Sequence, residues 1–195
     1  MRLALFDFDG TITNKDSFIK FIIFSKGYLP FLIGFFLNLP IIIAYKLRII
    51  SNSKAKEKII SYFFKGMSEK EFTKISKEYS LFYIKNILRK DALNRIDWHK
   101  AQGHKIIIIS ASIECWLKPW CDLNDLELIS TKLEKEKGLI TGKFSTKNCH
   151  GQEKVNRLKD KYTLSDYNHI YAYGDSSGDK ELLEIANERF FKPFR

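Results

Sequence analysis

Cysteine and proline are scarce in this chain, which has three cysteines and four prolines among 195 residues. The cysteine count is odd, and the spacing of Cys115, Cys121 and Cys149 fits no zinc-binding pattern, which argues against a disulfide framework and against a zinc module. We expect reduced thiols in a cytoplasmic protein. Asp7 and Asp9 interrupt the N-terminal apolar run too early for a signal peptide, and we expect none.

Acidic residues are outnumbered by basic ones, 23 against 33, which gives a net charge of +10. Seven of these excess charges lie in residues 15–84, where twelve residues are Lys or Arg and five are Asp or Glu. Such a basic segment favours an anionic partner, whether a phospholipid surface, a nucleic acid or a phosphorylated substrate, although an ordinary solvated surface accounts for it equally well. No nucleic-acid-binding module is recognisable, so we expect no nucleic acid partner.

The remaining composition is that of a folded globular chain, with 45% hydrophobic and 29% charged residues. A length of 195 residues provides for one core and a modest insertion rather than for two independent domains. No feature of the sequence indicates an oligomeric state.

Four short apolar runs are predicted to be buried strands, at residues 3–6, 105–109, 125–129 and 169–173. Helical patterns alternate with them, at residues 86–101, from Ser112 to about Pro119, at 152–161 and at 178–186. This alternation predicts an α/β, Rossmann-like fold with a mostly parallel sheet and helices on both faces. Gly138 and Gly142 also indicate a small hairpin within residues 130–146.

Residues 15–84 interrupt the alternation, because they carry helical patterns and no strand between the first and second predicted strands. We interpret this segment as an all-helical cap inserted into the α/β core. The core then comprises residues 1–14 and 85–195.

Polar residues follow the predicted strands at one edge of the sheet. Asp7 and Ser110 come directly after the first and second strands, and Asp175 follows the last one after a single glycine. Ligands of doubly wound sheets bind beyond the carboxyl ends of the strands, so these side chains are expected to share one crevice. Lys154, in the first turn of the helix after Gly151, can reach the same place. Each residue alone is more simply a turn, cap or surface residue, and their conjunction indicates a site.

Two carboxylates follow the first strand, at Asp7 and Asp9. Residues two apart in an extended chain point the same way, so both can face the crevice while Phe6 and Phe8 pack on the other side. One carboxylate can attack phosphorus and form an acyl phosphate. The other can protonate the leaving oxygen and later deprotonate water.

Further residues suit the binding of a phosphoryl group. Gly10 permits a tight turn with exposed N–H groups, and Ser110 with the amide of Ala111 can bind phosphate oxygens. Lys154 can neutralise charge on the phosphoryl group in the transition state.

An acidic loop that contains Asp175 and Asp179 follows the last strand. Carboxylates are the hard oxygen ligands that Mg²⁺ prefers, so we expect a magnesium site here. Together with the residues above, the loop predicts Mg²⁺-dependent phosphoryl transfer.

The whole pattern resembles the haloacid dehalogenase (HAD) superfamily of phosphohydrolases. Its four motifs are matched in order by Asp7-Phe8-Asp9-Gly10-Thr11, by Ser110, by Lys154 and by Gly174-Asp175 through Asp179. The helical insertion between the first two motifs resembles subfamily IB, the phosphoserine phosphatase-like branch with a type 1 cap. The resemblance implies a HAD-like, Rossmann-like fold and a phosphomonoesterase that uses Mg²⁺ and an aspartyl-phosphate intermediate.

The resemblance also implies roles for the matching residues. Asp7 would be the nucleophile and a Mg²⁺ ligand, and Asp9 would be the general acid and base, with its main-chain carbonyl on the metal. The phosphoryl group would be bound by Gly10, Thr11, Ser110, Ala111 and Lys154. Asp175 would bind Mg²⁺, and Asp179 would order that loop and the waters of the metal.

Residues 27–45 contain no charged side chain and approach the length of a membrane span, about 20 residues. Pro30, Asn38 and Pro40 interrupt the stretch, and basic residues flank both ends without indicating an orientation. Three interpretations remain open: a buried helical hairpin of the cap, a surface that enters the membrane interface, and a true span. An aromatic-rich apolar surface beside basic residues is typical of interfacial anchors, and anionic lipids would attract it.

A narrower resemblance concerns the surroundings of the motifs. Asp16 and Phe18, residues 149–155 and the apolar stretch are similar to phosphatidylglycerophosphate phosphatase C and its relatives, which act on a lipid phosphate at the inner membrane. This resemblance implies a lipid phosphate substrate and a cytoplasmic protein with peripheral contact at the inner face of an anionic membrane.

Two other functions are compatible with part of the pattern. A soluble phosphatase for a small metabolite, similar to phosphoserine phosphatase, would use the same core with a compact polar pocket in its cap. A response-regulator-like signalling module would carry a phosphorylated aspartate without turnover, but its aspartate does not follow the first strand and it has no helical cap.

Overall fold

The computed structural model describes residues 1–195 and contains seven strands. They are β1 (Arg2–Phe6), β2 (Lys105–Ile113), β3 (Glu127–Thr131), β4 (Leu133–Glu136), β5 (Leu139–Phe144), β6 (His169–Gly174) and β7 (Glu188–Phe191). Five of them form a parallel sheet in the order β3-β2-β1-β6-β7. β4 and β5 form a separate antiparallel hairpin, within the residues where the glycines indicated one.

The central strands are buried on both faces, as their continuous apolar runs predict. Residues 3–6 of β1 and 107–109 of β2 have no solvent exposure. Successive side chains alternate between two clusters on opposite faces of the sheet. Helices cover both faces, which confirms the predicted Rossmann-like α/β fold.

The chain also contains nine α-helices. Those between β1 and β2 are α1 (Ser17–Lys26), α2 (Tyr28–Leu37), α3 (Leu39–Lys46), α4 (Asn52–Phe64), α5 (Glu69–Glu78) and α6 (Lys90–Ala101). The others are α7 (Glu114–Leu123), α8 (Gln152–Lys159) and α9 (Lys180–Glu184). The segment 15–84 thus holds five α-helices and no strand, and its assignment as a separate cap stays a prediction.

Ser110 is placed differently from the prediction, which put it directly after the second strand. β2 continues to Ile113, and Ser110 lies within it, paired with Ser130. The pairing register shifts between Ser110 and Ile113, and an irregularity of this kind bends a strand and re-aims its side chains. The polar residues at the end of β2 therefore still lie at the carboxyl edge of the sheet.

Other element boundaries differ by a few residues for local reasons. β3 begins at Glu127 rather than at 125, because Asp125 adopts a left-handed backbone with φ 51°. α6 begins at Lys90 rather than at 86, because Leu88 has an extended backbone with ψ 144°. The last helix, α9, is shorter than predicted and follows a 3₁₀ turn at 177–179. β7 was not predicted, since it is a short edge strand with mostly exposed residues.

An aromatic cluster packs the helices of residues 15–84 against α7, the helix that follows β2. Phe21 of α1 stacks on Trp116 of α7, with ring centroids 4.5 Å apart, and also contacts Phe64 and Phe72. The Tyr79 hydroxyl donates a hydrogen bond to the Ser17 carbonyl oxygen at 3.0 Å. These contacts fix the start of α1 beside the end of β2.

The helices α2 and α3 present much of their apolar surface to solvent. We define the outer face of α2 as Leu29, Ile33, Phe36 and Leu37, whose side chains are between 51% and 69% exposed. Only Gly34 is buried in α2 and no residue is buried in α3, so the interpretation as a buried hairpin is wrong. No single helix is long and apolar enough to cross a bilayer. Together, α2 and α3 have the length and apolar composition of a membrane-crossing segment, but they are bent by 58° relative to each other.

Candidate active site

The end of β1 places Asp7 at the carboxyl edge of the sheet. Its N–H group donates a hydrogen bond to the Tyr173 carbonyl oxygen at 2.9 Å, which extends the β1–β6 ladder by one residue. The side chain is buried, with 6% of its surface exposed. Gly10, at φ 84°, turns the chain so that the Thr11 hydroxyl donates to Asp7 Oδ2 at 3.3 Å.

Lys154 joins two of the predicted acidic residues. Its Nζ lies 2.5 Å from Asp7 Oδ1 and 2.6 Å from Asp179 Oδ1, and the side chain is 2% exposed. Burial by itself would lower the pKa of Lys154, but the carboxylates of Asp7 and Asp179 outweigh it and raise this pKa. The ammonium group therefore stays charged at any physiological pH.

Asp179 organises the loop after β6. Its Oδ2 accepts hydrogen bonds from the N–H groups of Asp175 and Ser176 and from the Ser176 hydroxyl, at 2.9 to 3.1 Å. Burial would raise the pKa of Asp179, but the charge of Lys154 and these hydrogen bonds keep it below its usual value. Because both carboxylate oxygens already have partners, Asp179 is suited to ordering the loop.

Asp9 is held by two serines that the sequence did not single out for a role. Its Oδ1 accepts from the Ser17 N–H at 2.6 Å, and its Oδ2 accepts from the Ser112 hydroxyl at 2.5 Å. Burial, and secondly the charge of Asp16, raise the pKa of Asp9 to about 6. A carboxyl group with such a pKa can both donate and accept a proton near neutral pH.

A cluster of carboxylates surrounds the first motif. Oxygens of Asp7, Asp175 and Asp179 all lie within 4.8 Å of one another. Burial raises the pKa of Asp7 to about 7, with the charge of Lys154 acting against this rise and the charge of Asp179 adding to it. The Asp175 carboxylate is half-buried and pairs with Arg195. A Cβ atom at Gly10 would overlap that carboxylate, so only glycine leaves this space open.

This arrangement fits a divalent cation. The oxygens of the cluster are hard ligands, the type that Mg²⁺ selects. Asp7 and Asp175 could hold the ion directly. A bound cation would also lower the pKa of Asp7 and favour its ionised carboxylate.

A small cavity of about 90 Å³ opens between these groups. It is lined by the predicted residues Asp7, Asp9, Ser110, Ala111, Lys154 and Asp179 and by the additional residues Asp16, Lys56, His150, Ser176 and Gly178. Gly10, Thr11 and Asp175 lie beside it through the contacts described above. The structure thus brings all the residues predicted from the motifs to one place.

Lys56 is the cleft residue that sequence reasoning missed most clearly. It belongs to α4, and its Nζ donates to the Ala111 carbonyl oxygen at 3.3 Å. Burial lowers its pKa, against the carboxylates of Asp16 and Asp9, which raise it. As one of twelve basic residues in the segment 15–84, it gave no signal that distinguished it from a surface lysine.

The chain belongs to the haloacid dehalogenase-like hydrolase family, whose model matches residues 4–184. Protein CicA of Caulobacter vibrioides (strain NA1000 / CB15N) is 33% identical over 195 residues, covering 99% of this chain and 86% of that protein. The family match confirms the predicted HAD-type enzyme.

Solved structures share the fold. A protein of unknown function from Bordetella pertussis Tohama I superposes with a TM-score of 0.84 at 23% identity, over 96% of this chain and 88% of that one. A phospho-aspartyl intermediate analogue of phosphoserine phosphatase gives a TM-score of 0.68 at 19% identity, over 96% and 84% of the two chains. The predicted likeness to the phosphoserine phosphatase-like branch is therefore confirmed for the fold.

Proposed function

We propose that this HAD-type phosphatase hydrolyses phosphomonoesters through an aspartyl-phosphate formed on Asp7, with Mg²⁺ as cofactor. One observation carries the proposal: the buried Asp7 carboxylate contacts Lys154 Nζ at 2.5 Å, while a second carboxyl group, Asp9, is held two residues away. A nucleophile, a proton donor and a fixed cation therefore face one cavity.

Two chemical steps follow from this arrangement. Asp7 attacks phosphorus, the bond from phosphorus to the ester oxygen breaks, and Asp9 donates a proton to the departing alkoxide. In the second step Asp9 takes a proton from water, the water oxygen bonds to phosphorus, and the Asp7 carboxylate is released. The hydrogen bond from the Ser112 hydroxyl holds the Asp9 carboxyl group in the same orientation in both steps.

The surrounding groups would bind the phosphoryl oxygens. Lys154 neutralises negative charge as it develops, with Thr11, Ser110 and the amide of Ala111 as further hydrogen-bond donors. The N–H of Gly10, which the sequence predicted to be exposed, instead donates to the Thr13 hydroxyl at 3.2 Å. Mg²⁺, held by Asp7, Asp175 and the main-chain carbonyl of Asp9, would supply Lewis-acid stabilisation of the phosphate. Asp179 would order the metal-binding loop through its hydrogen bonds to residues 175 and 176.

For the substrate, we propose a lipid phosphate such as phosphatidylglycerophosphate, reached by peripheral contact with the inner face of an anionic membrane. The exposed outer face of α2 supports this choice, because large apolar side chains beside basic residues suit a membrane interface. Lys26 precedes α2 and Lys46 ends α3, where they can attract anionic lipids.

A soluble small-metabolite phosphatase is the second candidate. The structural likeness to phosphoserine phosphatase favours it, since that protein has a similar fold at 96% coverage of this chain. A signalling module that is phosphorylated without turnover is less well supported, because the fixed Asp9 would speed loss of the phosphoryl group from Asp7.

A panel of phosphomonoesters tests the proposal. With Mg²⁺ present, we expect catalytic release of phosphate from simple esters, and we expect chelation of the metal to abolish it. Lipid phosphates in vesicles and phosphoserine in solution separate the two substrate candidates. Phosphorylation of the protein in a single stoichiometric burst, with no further release, would instead identify a signalling module.

A further inference from the structure

A second cavity, of about 390 Å³, lies among the helices α1 to α4. We call it the cap cavity. Ten of its fifteen lining residues are hydrophobic, among them Ile22, Phe31, Ile42, Ile59 and Phe63. Its volume falls in the range of small-molecule sites, about 300–1,000 Å³. The cap cavity therefore offers an apolar site of ligand size close to the catalytic cleft.

The cap cavity and the catalytic cleft adjoin each other. Asp16 and Lys56 line both of them. Lys56 reaches Ala111 with its Nζ, and Asp16 is the N-cap of α1, where its Oδ1 accepts from the Ile19 N–H at 3.0 Å. A ligand that begins at Asp7 and passes these two side chains enters the apolar space.

The cap cavity also borders the solvent. Three of its lining residues, Ile19, Phe35 and Tyr45, are 40% to 43% exposed. The cavity is therefore partly open to solvent rather than a closed void.

We infer that the cap cavity binds the apolar part of the substrate, so that the substrate is a phosphomonoester carrying an alkyl, acyl or similar hydrocarbon group. This inference rests on the proposed phosphatase function. With the phosphoryl group at Asp7, the hydrocarbon lies against Phe31, Ile42 and Phe63, and Lys56 stays beside the polar junction. A small zwitterionic substrate would find charged partners only at Asp16 and Lys56 and would leave the apolar remainder of the cavity unused.

Chain-length dependence tests this inference. For ethyl, butyl and hexyl phosphate in solution, we expect kcat/KM to rise about three- to fourfold per added methylene group until the cavity is filled. A second series compares glycerol 3-phosphate with 1-acylglycerol 3-phosphates in vesicles. A gain in the dissolved series identifies a free amphiphile, and a gain only in vesicles identifies a membrane lipid. The absence of a gain in both series would overturn the inference.

Two neighbouring residues of α3 provide matched variants. Ile42 lines the cap cavity, whereas Ile43 is 47% exposed and does not line it. We expect Ile42→Gln to reduce the gain per methylene at least twofold and Ile43→Gln to keep it. Equal gains in the two variants would contradict the inference. If Ile42→Gln does not fold, Phe35→Ala enlarges the cavity, and the preferred chain should become longer.

The same assays separate this inference from the proposed function. If none of these esters, dissolved or in vesicles, is hydrolysed with Mg²⁺ present, the phosphatase proposal fails. If ethyl phosphate is hydrolysed and longer chains bring no gain, the phosphatase proposal survives and the inference about the cap cavity fails.

Discussion

Proteins usually expose charged groups and bury large apolar groups, and the catalytic cleft and the outer face of α2 are opposite exceptions to this rule. In the cleft, charged groups are buried: Lys154 and Asp179 are 2% and 1% exposed. On the outer face of α2, large apolar groups face solvent: Phe36 and Leu37 are 66% and 64% exposed. Both arrangements are unfavourable in isolation, because a buried charge loses hydration and an exposed hydrocarbon orders water.

The two regions resolve this cost differently. Each buried charge of the cleft has a partner within the protein, as Lys154 has in Asp7 and Asp179. The apolar residues of the α2 outer face have no such partners within the chain. The side chains of the cleft are therefore held by partners within the chain, and their chemistry can be inferred from this arrangement, whereas the α2 face indicates only that an apolar surface would bind there.

The largest effect is expected from Asp7→Asn. An amide cannot form the acyl phosphate, so we expect kcat to fall at least about ten-thousand-fold. Phosphate release and the trapping of phosphate on the protein measure this directly. Asp160→Asn, an exposed acid at the end of α8, is the matched control and should retain wild-type activity. Full activity or phosphate trapping in Asp7→Asn would reject the assigned nucleophile.

The cleft was largely predictable from the sequence because its chemistry is local to short motifs. Asp7 and Asp9 follow an uninterrupted buried strand, and strand ends of a parallel sheet meet at one edge. The serines that hold Asp9 were not predictable in the same way. Ser17 and Ser112 are 95 positions apart in the chain, and only the packed fold brings their hydroxyls to 3.0 Å.

Lys154→Met should have the next largest effect, and it acts on both activity and stability. Removing the ammonium group takes away charge stabilisation in the transition state, for which we expect a loss of about 100- to 1,000-fold in kcat. It also leaves Asp7 and Asp179 buried without a counter-ion, so the free energy of unfolding should fall by about 3 kcal/mol. Phosphate release and denaturant unfolding measure the two effects.

A surface pair serves as the control for this variant. Lys118 pairs with Asp122 on α7, and both side chains are more than half exposed. Lys118→Met should therefore change the free energy of unfolding by less than about 0.5 kcal/mol. Equal destabilisation of Lys154→Met and Lys118→Met would show that the buried network does not hold the cleft together.

The apolar residues 27–45 were less predictable, because the direction in which an apolar helix faces depends on tertiary packing. Residues 27–45 have the composition of both a core hairpin and an exposed surface, and the sequence left these alternatives open. Periodicity does not separate them, since apolar residues occur all around α2. The close approach of α4 to Gly34, where a Cβ atom would overlap the Phe63 ring, fixes the direction in the fold.

A smaller effect is expected at the outer face of α2, where Phe36→Ser should weaken binding to vesicles that contain anionic lipid by about tenfold. The reason is the loss of one large apolar side chain from the interface. Sedimentation with vesicles measures the bound fraction, and higher salt should lower it because Lys26 and Lys46 contribute by charge.

Leu123→Ser is the matched control for the vesicle assay, because Leu123 is 70% exposed at the end of α7, outside the segment 15–84. Loss of binding in Phe36→Ser alone assigns membrane contact to α2. Equal loss in both variants would indicate general hydrophobic adsorption, and wild-type protein that stays in solution at low salt would remove membrane contact altogether. In that case another binding partner would have to account for the exposed α2 face. The chemistry assigned to Asp7 and Lys154 would be unaffected, because these two residues pair with each other within the chain.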